Sequence, residues 1–145
     1  LHKEYRRQRQ MCIRDSRCPY CGAYATCRPA SVVYGKSGKT KNSYLYICSR
    51  WPACDSYVGT HKKDRSPLGT PANKSLRHKR ILAHRSLDAV QHRFQMQKWE
   101  AYVWLQAKLG LSESETHIGM FSEYMCDRTI ALCNQALEAA HIRAA

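Results

Sequence analysis

Two pairs of closely spaced cysteines constrain the fold of this chain more than any other sequence feature. Cys18 and Cys21 form a C-x2-C motif, and Cys48 and Cys54 form a C-x5-C motif further along. Structural zinc is held by four ligands in a tetrahedron, and cysteine thiolates are among those it prefers. The two motifs therefore predict one structural Zn²⁺ whose coordination sphere is filled by sulfur, which leaves no open position for catalysis.

The residues around both motifs are suited to the turns that such a site needs. Gly22 directly follows the first pair and allows the chain to reverse direction. Pro52 shapes the longer loop inside the second pair. A module of this size buries too little apolar surface to be stable alone, so metal binding is expected to supply part of its folding free energy.

Two other functions of the first cysteine pair fit the sequence less well. Cys-Pro-Tyr-Cys is also the redox motif of glutaredoxins, where it follows a buried strand and opens a helix. Here Arg17 precedes the motif and Gly22 follows it, and a second pair lies downstream. The zinc deaminase signature requires an H-x-E element upstream of its cysteines, which this chain lacks. Structural zinc is therefore the prediction.

The remaining cysteines are predicted to lie outside the metal site. The chain has eight cysteines and we expect no secretory signal sequence, which favours metal binding or core packing over disulfide bonds. Cys126 and Cys133 are two helical turns apart, so both are predicted to face a helical core.

No run of about 18 apolar residues occurs, so we expect no membrane span and a cytoplasmic location in a bacterial host.

Residues 17–60 have the pattern of a small antiparallel ribbon. We predict a strand at 30–34, a basic turn at 35–39 and a second strand at 43–48, because β-branched and aromatic residues there alternate with turn residues. A short third strand is predicted at 55–59.

A polar linker at residues 61–70 is predicted to lead into a first helix. Thr70 is suited to cap this helix, with Pro71 at its first position. Apolar residues at helical spacing form one stripe, and basic residues occupy the other faces. The stripe consists of Leu76, Ala83, Leu87, Val90 and Phe94, and the basic residues include Arg77, Lys79, Arg80, His84 and Arg85.

Two more helices are predicted in the C-terminal part. The second spans about 97–109 and ends at Gly110, a usual residue after a helix C-terminus. Ser112 and Glu115 have the spacing of a capping box for a short turn. The third helix spans about 122–140. The predicted fold class is therefore α+β, a small four-cysteine zinc ribbon of antiparallel strands followed by about three α-helices.

These predictions divide the chain into four parts. Residues 1–16 are a basic tail, and its segment 10–16 resembles translated sequencing adapter, so no prediction rests on it. The zinc ribbon spans 17–60 and the linker 61–70. A helical subdomain spans 71–141 and is predicted to pack on or beside the ribbon.

The net charge of +13 is unevenly distributed along the chain. Residues 61–98 contain ten lysines or arginines and two acidic residues, whereas residues 99–145 contain three and six. Such asymmetry favours a polyanionic partner, above all nucleic acid, on one face. The alternative is a solvated basic surface without a dedicated ligand.

Candidate nucleic-acid contacts lie in the ribbon and in the first helix. Basic groups neutralise phosphates, and exposed aromatic rings stack on unpaired bases. The alternative is that the ribbon aromatics point inward and that the basic helix face is merely solvated. The candidates in the ribbon are Lys36, Lys39, Lys41, Arg50 and the stacking residue Trp51, among the aromatics Tyr34, Tyr44, Tyr46 and Tyr57. Those in the helix are Lys74, Arg77, Lys79, Arg80 and Arg85.

No set of residues with the pattern of a catalytic site is present. The sequence contains no Ser/His/Asp set, no paired carboxylates in a cleft context and no phosphate-binding loop, since residues 35–40 lack the first glycine of that motif. We therefore expect neither enzymatic activity nor a small-molecule substrate.

Several longer motifs resemble a known family. The sequence CPYCG at 18–22, the segment from Tyr46 to Gly59, PLGT at 67–70, AYVWL at 101–105 and HIGMF at 117–121 are similar to a family of zinc-finger-containing domains found in phages, prophages and bacteria. The resemblance covers about residues 17–140 and implies zinc and fold, not an activity.

The cysteine knuckles also resemble the C-terminal zinc ribbons of bacterial type IA topoisomerases, which contact single-stranded DNA. By analogy we expect a non-enzymatic module, of phage or mobile-element type, that binds single-stranded or structured nucleic acid. The sequence leaves DNA or RNA open. The alternative is a protein-interaction module that regulates or inhibits a host nucleoprotein, such as a polymerase or a defence complex.

Overall fold

A computed structural model describes residues 17–144 of the chain. The predicted tail at residues 1–16 lies outside the described residues. The described residues form two units that divide between Lys74 and Ser75, the first containing the strands and the second most of the helical residues. None of the helices in the described part has both the length and the apolarity that crossing a membrane requires.

A three-stranded antiparallel sheet forms the frame of the first unit. Its strands are β1 (Ala25–Pro29), β2 (Tyr44–Cys48) and β3 (Tyr57–Gly59), in the order β1-β2-β3. Ala25 pairs with Cys48 across β1 and β2, and Ile47 pairs with Tyr57 across β2 and β3. The strands predicted at 43–48 and 55–59 are confirmed with slightly shorter bounds.

The strand predicted at residues 30–34 is wrong. Ser31–Tyr34 forms a single-turn helix, α1, and the first strand precedes it at Ala25–Pro29. In a helix Ala30 and Val33 point to the same side, and both pack on the core that Leu45 and Ile47 build. This packing outweighs the β-propensity of the Val-Val-Tyr sequence, because strand propensity depends on the tertiary setting.

The core of the first unit is small. Leu45, Ile47 and Tyr57 are buried together with Ala30, and Trp51 packs against this cluster while remaining partly exposed. Such a core stabilises a domain only marginally, so a bound metal ion is expected to contribute to the folding free energy of this unit.

The segment predicted as a linker returns along the sheet. Thr60 bridges to Pro67, and Tyr57 exchanges two backbone hydrogen bonds of 3.1 and 3.0 Å with Ala72. The next helix, α2 (Lys74–Arg93), therefore begins later than predicted, since Pro71 is buried ahead of it. The backbone N–H of Lys74 donates to the Asp55 carboxylate at 3.3 Å.

The second unit continues with two further helices, α3 (Lys98–Leu109) and α4 (Glu123–Ala144), and 3₁₀ turns at Glu113–Glu115 and Ile118–Met120. Gln97 and Glu100 form a capping box at the start of α3, and Gly110 ends it with φ of 68°. The predicted capping box of Ser112 and Glu115 is also present. Both later helix predictions are thus confirmed within a few residues.

The buried side chains of α2 follow the predicted stripe except at Arg80, which is buried, and at Phe94, which is exposed. The buried residues of α2 include Leu76, Ala83, Leu87 and Val90, and those of α4 include Cys126 and Cys133, as predicted. Phe94 is 45% exposed, because it follows the last residue of α2 and lies outside the helical stripe.

Candidate metal centre

The first half of the centre is a tight turn around the C-x2-C motif. The N–H of Gly22 donates to the carbonyl of Cys18 at 2.9 Å, and the N–H of Cys18 donates to the carbonyl of Ala23 at 2.8 Å. Gly22 has φ of 74°, in the left-handed region that glycine adopts without strain. The turn brings Cys18 and Cys21 to the same side of the chain.

The second half begins at the end of β2. Cys48 is the last residue of that strand, and the N–H of Trp51 donates to its carbonyl at 2.9 Å. The N–H of Cys54 donates to the carbonyl of Arg50 at 3.1 Å, which closes the longer loop. Because Ala25 pairs with Cys48, the sheet holds the second turn beside the first.

The four sulfur atoms form a compact cluster. The Sγ atoms of Cys18, Cys21, Cys48 and Cys54 all lie within 4.8 Å of one another. Cys18 Sγ lies 3.5 Å from Cys54 Sγ, and Cys21 Sγ lies 3.4 Å from Cys48 Sγ. A tetrahedron with zinc–sulfur bonds of about 2.3 Å has sulfur–sulfur edges of about 3.8 Å, close to these values. The cluster can therefore hold one metal ion, and its four sulfurs fill a tetrahedral site.

Burial and hydrogen bonding shift the pKa values of the cluster thiols in different directions. Burial raises the pKa of Cys48 to about 12, and burial likewise raises the pKa of Cys54. At Cys18 burial acts in the same direction, but the neighbouring Ser56 hydroxyl and the backbone N–H groups of Cys21 and Tyr20 outweigh it and lower the pKa to about 6. A divalent cation offsets half of the charge of four thiolates and stabilises their deprotonated forms, so these residues fit Zn²⁺.

A buried hydroxyl supports the same conclusion. Ser56 is fully buried, and its Oγ has no hydrogen-bond partner at normal distance among the described residues. It is nevertheless near enough to the sulfur of Cys18 to lower that pKa. A hydroxyl in this position gains a strong acceptor when Cys18 is a metal-bound thiolate, because hydrogen bonds to charged groups are stronger.

Comparison with known proteins agrees with this geometry. The chain matches the family of zinc-finger-containing domains over residues 14–136. The chain belongs to that family. No curated protein and no solved structure shows significant similarity to it. As a member of the zinc-finger-containing domain family with four clustered cysteines, the protein has a site for one structural zinc ion, as predicted.

The structure places the basic residues predicted in the ribbon on its surface. Lys36, Lys39 and Lys41 lie exposed in the loop between α1 and β2, and Arg50 lies exposed in the second cysteine loop. No salt bridge between described residues includes any of them. Whether they contact nucleic acid stays a prediction.

The ribbon aromatics divide between core and surface. Tyr46 and Tyr57 are buried, as the alternative interpretation proposed, and Trp51 is half-buried with its ring edge-on to Tyr57 at 5.8 Å. Tyr34 is 58% exposed, and its ring also packs edge-on to Tyr57, at 5.9 Å. Of the predicted aromatic residues, Tyr34 is therefore the most exposed, and they form a smaller exposed surface than the sequence suggests.

The basic residues predicted in the first helix differ in availability. Lys74 and Arg85 are exposed and Arg77 is half-buried, whereas Lys79 forms a 2.8 Å salt bridge with Asp127. Arg80 is only 8% exposed.

The guanidinium of Arg80 donates two hydrogen bonds, of 3.2 and 3.1 Å, to the carbonyl of Phe121. The prediction that Arg80 contacts nucleic acid is therefore corrected. Its donors point into the helical unit, where they satisfy a backbone carbonyl, so Arg80 does not belong to the candidate surface.

Sequence analysis missed a basic turn within the predicted linker. Lys62, Lys63 and Arg65 are exposed, and the Arg65 guanidinium carbon lies 3.8 Å from the centre of the Tyr44 ring. The signal was available in part, since the high positive charge of residues 61–98 begins in this segment. The contact with Tyr44 is not visible in sequence, because it depends on the return of the chain along β3.

Proposed function

We propose that the protein is a non-enzymatic zinc-ribbon protein, of phage or mobile-element type, that binds single-stranded or structured nucleic acid. The zinc ion has a structural role, and the ribbon surface makes the contacts. The observation that supports this proposal most is the group of exposed lysines between α1 and β2, which have no acidic partner among the described residues.

These lysines form an unusually uniform positive surface. Lys36, Lys39 and Lys41 lie within six residues of one another, and no acidic residue occurs between Asp15 and Asp55. Each lysine that neutralises a phosphate releases condensed counterions, so such a surface gains affinity for a polyanion without sequence readout. Arg50 adds a fourth exposed cation from the second cysteine loop.

Aromatic rings beside this surface favour unpaired bases. Tyr34 is adjacent in sequence to the loop that begins at Gly35, and its hydroxyl donates to the hydroxyl of Tyr57 at 3.0 Å. This bond and the contact with the buried Tyr57 ring hold Tyr34 in a fixed orientation. A fixed, exposed ring provides a stacking platform with little loss of side-chain entropy on binding.

The first long helix extends the proposed contact set. Lys74 and Arg85 are exposed and Arg77 is half-buried. Lys79 contributes where a phosphate competes with Asp127 for its ammonium group. An exposed lysine–carboxylate pair contributes little stability, so a phosphate displaces the carboxylate at small cost.

Salt dependence tests the proposal directly. Fluorescence anisotropy with a labelled single-stranded oligonucleotide should give an affinity that falls linearly on a log–log plot against salt. Replacing Lys36, Lys39 and Lys41 together by Gln should reduce the slope by about 2, since each phosphate contact on a single strand contributes about 0.7.

A matched control uses a lysine outside the proposed surface. Lys108→Gln removes one exposed charge from the last turn of α3, within the acidic C-terminal part, and should leave the slope unchanged. Absence of binding to single-stranded and hairpin oligonucleotides at low salt would rule out the proposed function.

One observation favours the alternative function of a protein-interaction module. A groove of about 740 Å³ borders α3, and two of its lining residues, Trp99 and Val103, are 68% and 53% exposed. Exposed aromatic side chains in a concave site are typical of protein interfaces. On this alternative the protein regulates or inhibits a nucleoprotein such as a polymerase or a defence complex.

The groove provides a test that separates the two functions. Trp99→Ala should abolish co-purification of a host nucleoprotein from nuclease-treated lysate and leave oligonucleotide binding intact if the alternative is correct. If the leading proposal is correct, the same variant changes neither measurement, because no partner binds in the groove.

A further inference from the structure

The loop between α1 and β2 borders an open surface cavity of about 540 Å³. Two lysines and several hydroxyl or amide side chains line it, and none of its lining residues is acidic. A concave site with cations, hydroxyls and no carboxylate has the complementary charge and hydrogen-bonding groups for an anion. The residues with these groups are Lys36, Lys41, Ser31, Ser37, Thr40 and Asn42.

Internal hydrogen bonds hold the backbone of this loop in place. The Thr40 hydroxyl accepts a 3.0 Å hydrogen bond from the N–H of Ser37, and its oxygen lies 3.0 Å from the carbonyls of both Gly35 and Ser37. The loop is tied to the sheet through the N–H of Ala30, which donates to the carbonyl of Ser43 at 2.9 Å. The lysines therefore extend from a fixed backbone, which reduces the entropy lost on binding.

A third cation contacts one of the residues that line the cavity. Tyr44 lines the cavity, and the guanidinium of Arg65 covers the ring of Tyr44 at 3.8 Å. Arg65 has φ of 58°, in the left-handed region that a long side chain rarely adopts. Such a conformation persists only where the surroundings enforce it, and it is frequent at ligand sites.

Hydrogen bonds within the turn around Arg65 hold its backbone in this conformation. The N–H of His61 donates to the carbonyl of Ser66 at 2.8 Å, and the N–H of Arg65 donates to the carbonyl of His61 at 3.0 Å. The carboxylate of Asp64 accepts hydrogen bonds from the N–H and the hydroxyl of Ser66, at 3.1 and 2.7 Å. Asp64 is thus engaged within the turn and does not line the cavity.

We propose that this cavity binds a phosphoryl group, with Lys36 and Lys41 as point charges and Arg65 as a planar donor beside them. An arginine stacked on an aromatic ring keeps its N–H edges free for two parallel bonds to phosphate oxygens. The proposal deepens the proposed function, on which it rests for the source of the phosphate. That source is either a backbone phosphodiester or a terminal or free phosphate.

Amide chemical shifts of the zinc-loaded protein locate the site. Inorganic phosphate and a single-stranded oligonucleotide, with or without a 5′-phosphate, are titrated separately at constant ionic strength. The proposal predicts saturable shifts at residues 36–44 and at Arg65 with the oligonucleotide. Tighter binding of the 5′-phosphorylated strand, together with shifts caused by inorganic phosphate, identifies the bound phosphoryl group as a terminal phosphate. Equal affinity for both strands identifies the bound phosphoryl group as a backbone phosphodiester.

A pair of charge-conserving variants tests the role of Arg65. Arg65→Lys keeps the charge but removes the planar donor, and it should weaken oligonucleotide binding about fivefold, the loss expected for an exposed stacked guanidinium. Lys63→Arg also keeps the charge, at an exposed position of the same turn, and it should leave the affinity unchanged because the stacked guanidinium of Arg65 is retained.

The possible failures are distinguishable. Oligonucleotide binding without shifts at residues 36–44, and with full affinity in Arg65→Lys, overturns the cavity proposal and leaves the proposed function intact. If inorganic phosphate causes saturable shifts but no oligonucleotide binds, the proposal that the cavity binds a phosphoryl group stands and the proposed function is overturned. Absence of shifts at these residues with every probe overturns the cavity proposal.

Discussion

The cysteines of this chain differ in their surroundings, as their spacing in the sequence predicts. Cys18 and Cys48 are buried in the metal cluster, whereas Cys27 lies exposed on β1 outside it. Zinc binds through deprotonated sulfur and organises the ends of the sheet, so loss of one ligand removes both the metal and much of the folding free energy. The exposed thiol of Cys27 provides an internal control for this distinction.

Substitution of one cluster cysteine should release the metal. Cys48→Ser should lower the zinc content from about one ion per chain to nearly none and weaken the ribbon by several kcal/mol. Metal analysis by mass spectrometry and amide hydrogen exchange of β2 measure the two effects. Cys27→Ser should retain full zinc content. A Cys48→Ser protein that is zinc-free yet keeps wild-type amide protection would contradict a structural role for the metal.

Arg80 illustrates a basic residue whose role is internal. Arg80→Met keeps most of the side-chain length but leaves the carbonyl of Phe121 without its donor. An unsatisfied buried carbonyl costs about 1–3 kcal/mol, so urea unfolding followed by helical circular dichroism should show a loss of that size. Arg85→Met, at an exposed position of the same helix, should change stability by less than about 0.5 kcal/mol. Equal effects of the two variants would refute the assignment.

At the level of secondary structure, the end of α3 depends on one glycine conformation. Gly110 has φ of 68°, and a Cβ added there meets no atom within 4 Å. Gly110→Ala should therefore destabilise the helical unit through backbone strain alone, by about 1 kcal/mol. Gly38→Ala is the matched control, since Gly38 also has open space but no positive φ. The melting temperatures of both variants check this, and equal shifts would be inconsistent with the explanation.

The sequence predicted those elements whose signals are local. The second strand at 43–48, the helix ending at Gly110 and the capping box of Ser112 and Glu115 each depend on residues within one turn or one strand. The first strand was missed and α1 was mistaken for a strand, because the Val-Val-Tyr sequence is helical only through packing of Ala30 and Val33 on the sheet. Tertiary packing of this kind is absent from a propensity argument.

The same distinction applies to the candidate site. The cysteine cluster was predictable, since ligand type and spacing define a metal site. Burial of Arg80 was not, because it depends on the position of the Phe121 carbonyl 41 residues later in the chain. The contact of Arg65 with the Tyr44 ring was also not predictable, because it requires both a left-handed backbone at Arg65 and the return of residues 60–72 along the sheet.

For the whole molecule, the charge and the metal have separate roles. The zinc cluster and the acid-free segment between Asp15 and Asp55 belong to the first unit, whereas the acidic C-terminal part belongs to the second. A coordination sphere filled by four cysteines has no open position, so the proposed binding depends on side chains displayed by the ribbon and not on the metal itself. The account therefore depends first on the metal site being closed.

X-ray absorption at the zinc edge, with metal analysis of the same purified protein, tests that claim most directly. We predict one zinc ion per chain, surrounded by four sulfur atoms at about 2.3 Å. A zinc ion with an oxygen or nitrogen ligand in its first coordination shell would contradict a closed site, and so would protein that folds without any metal.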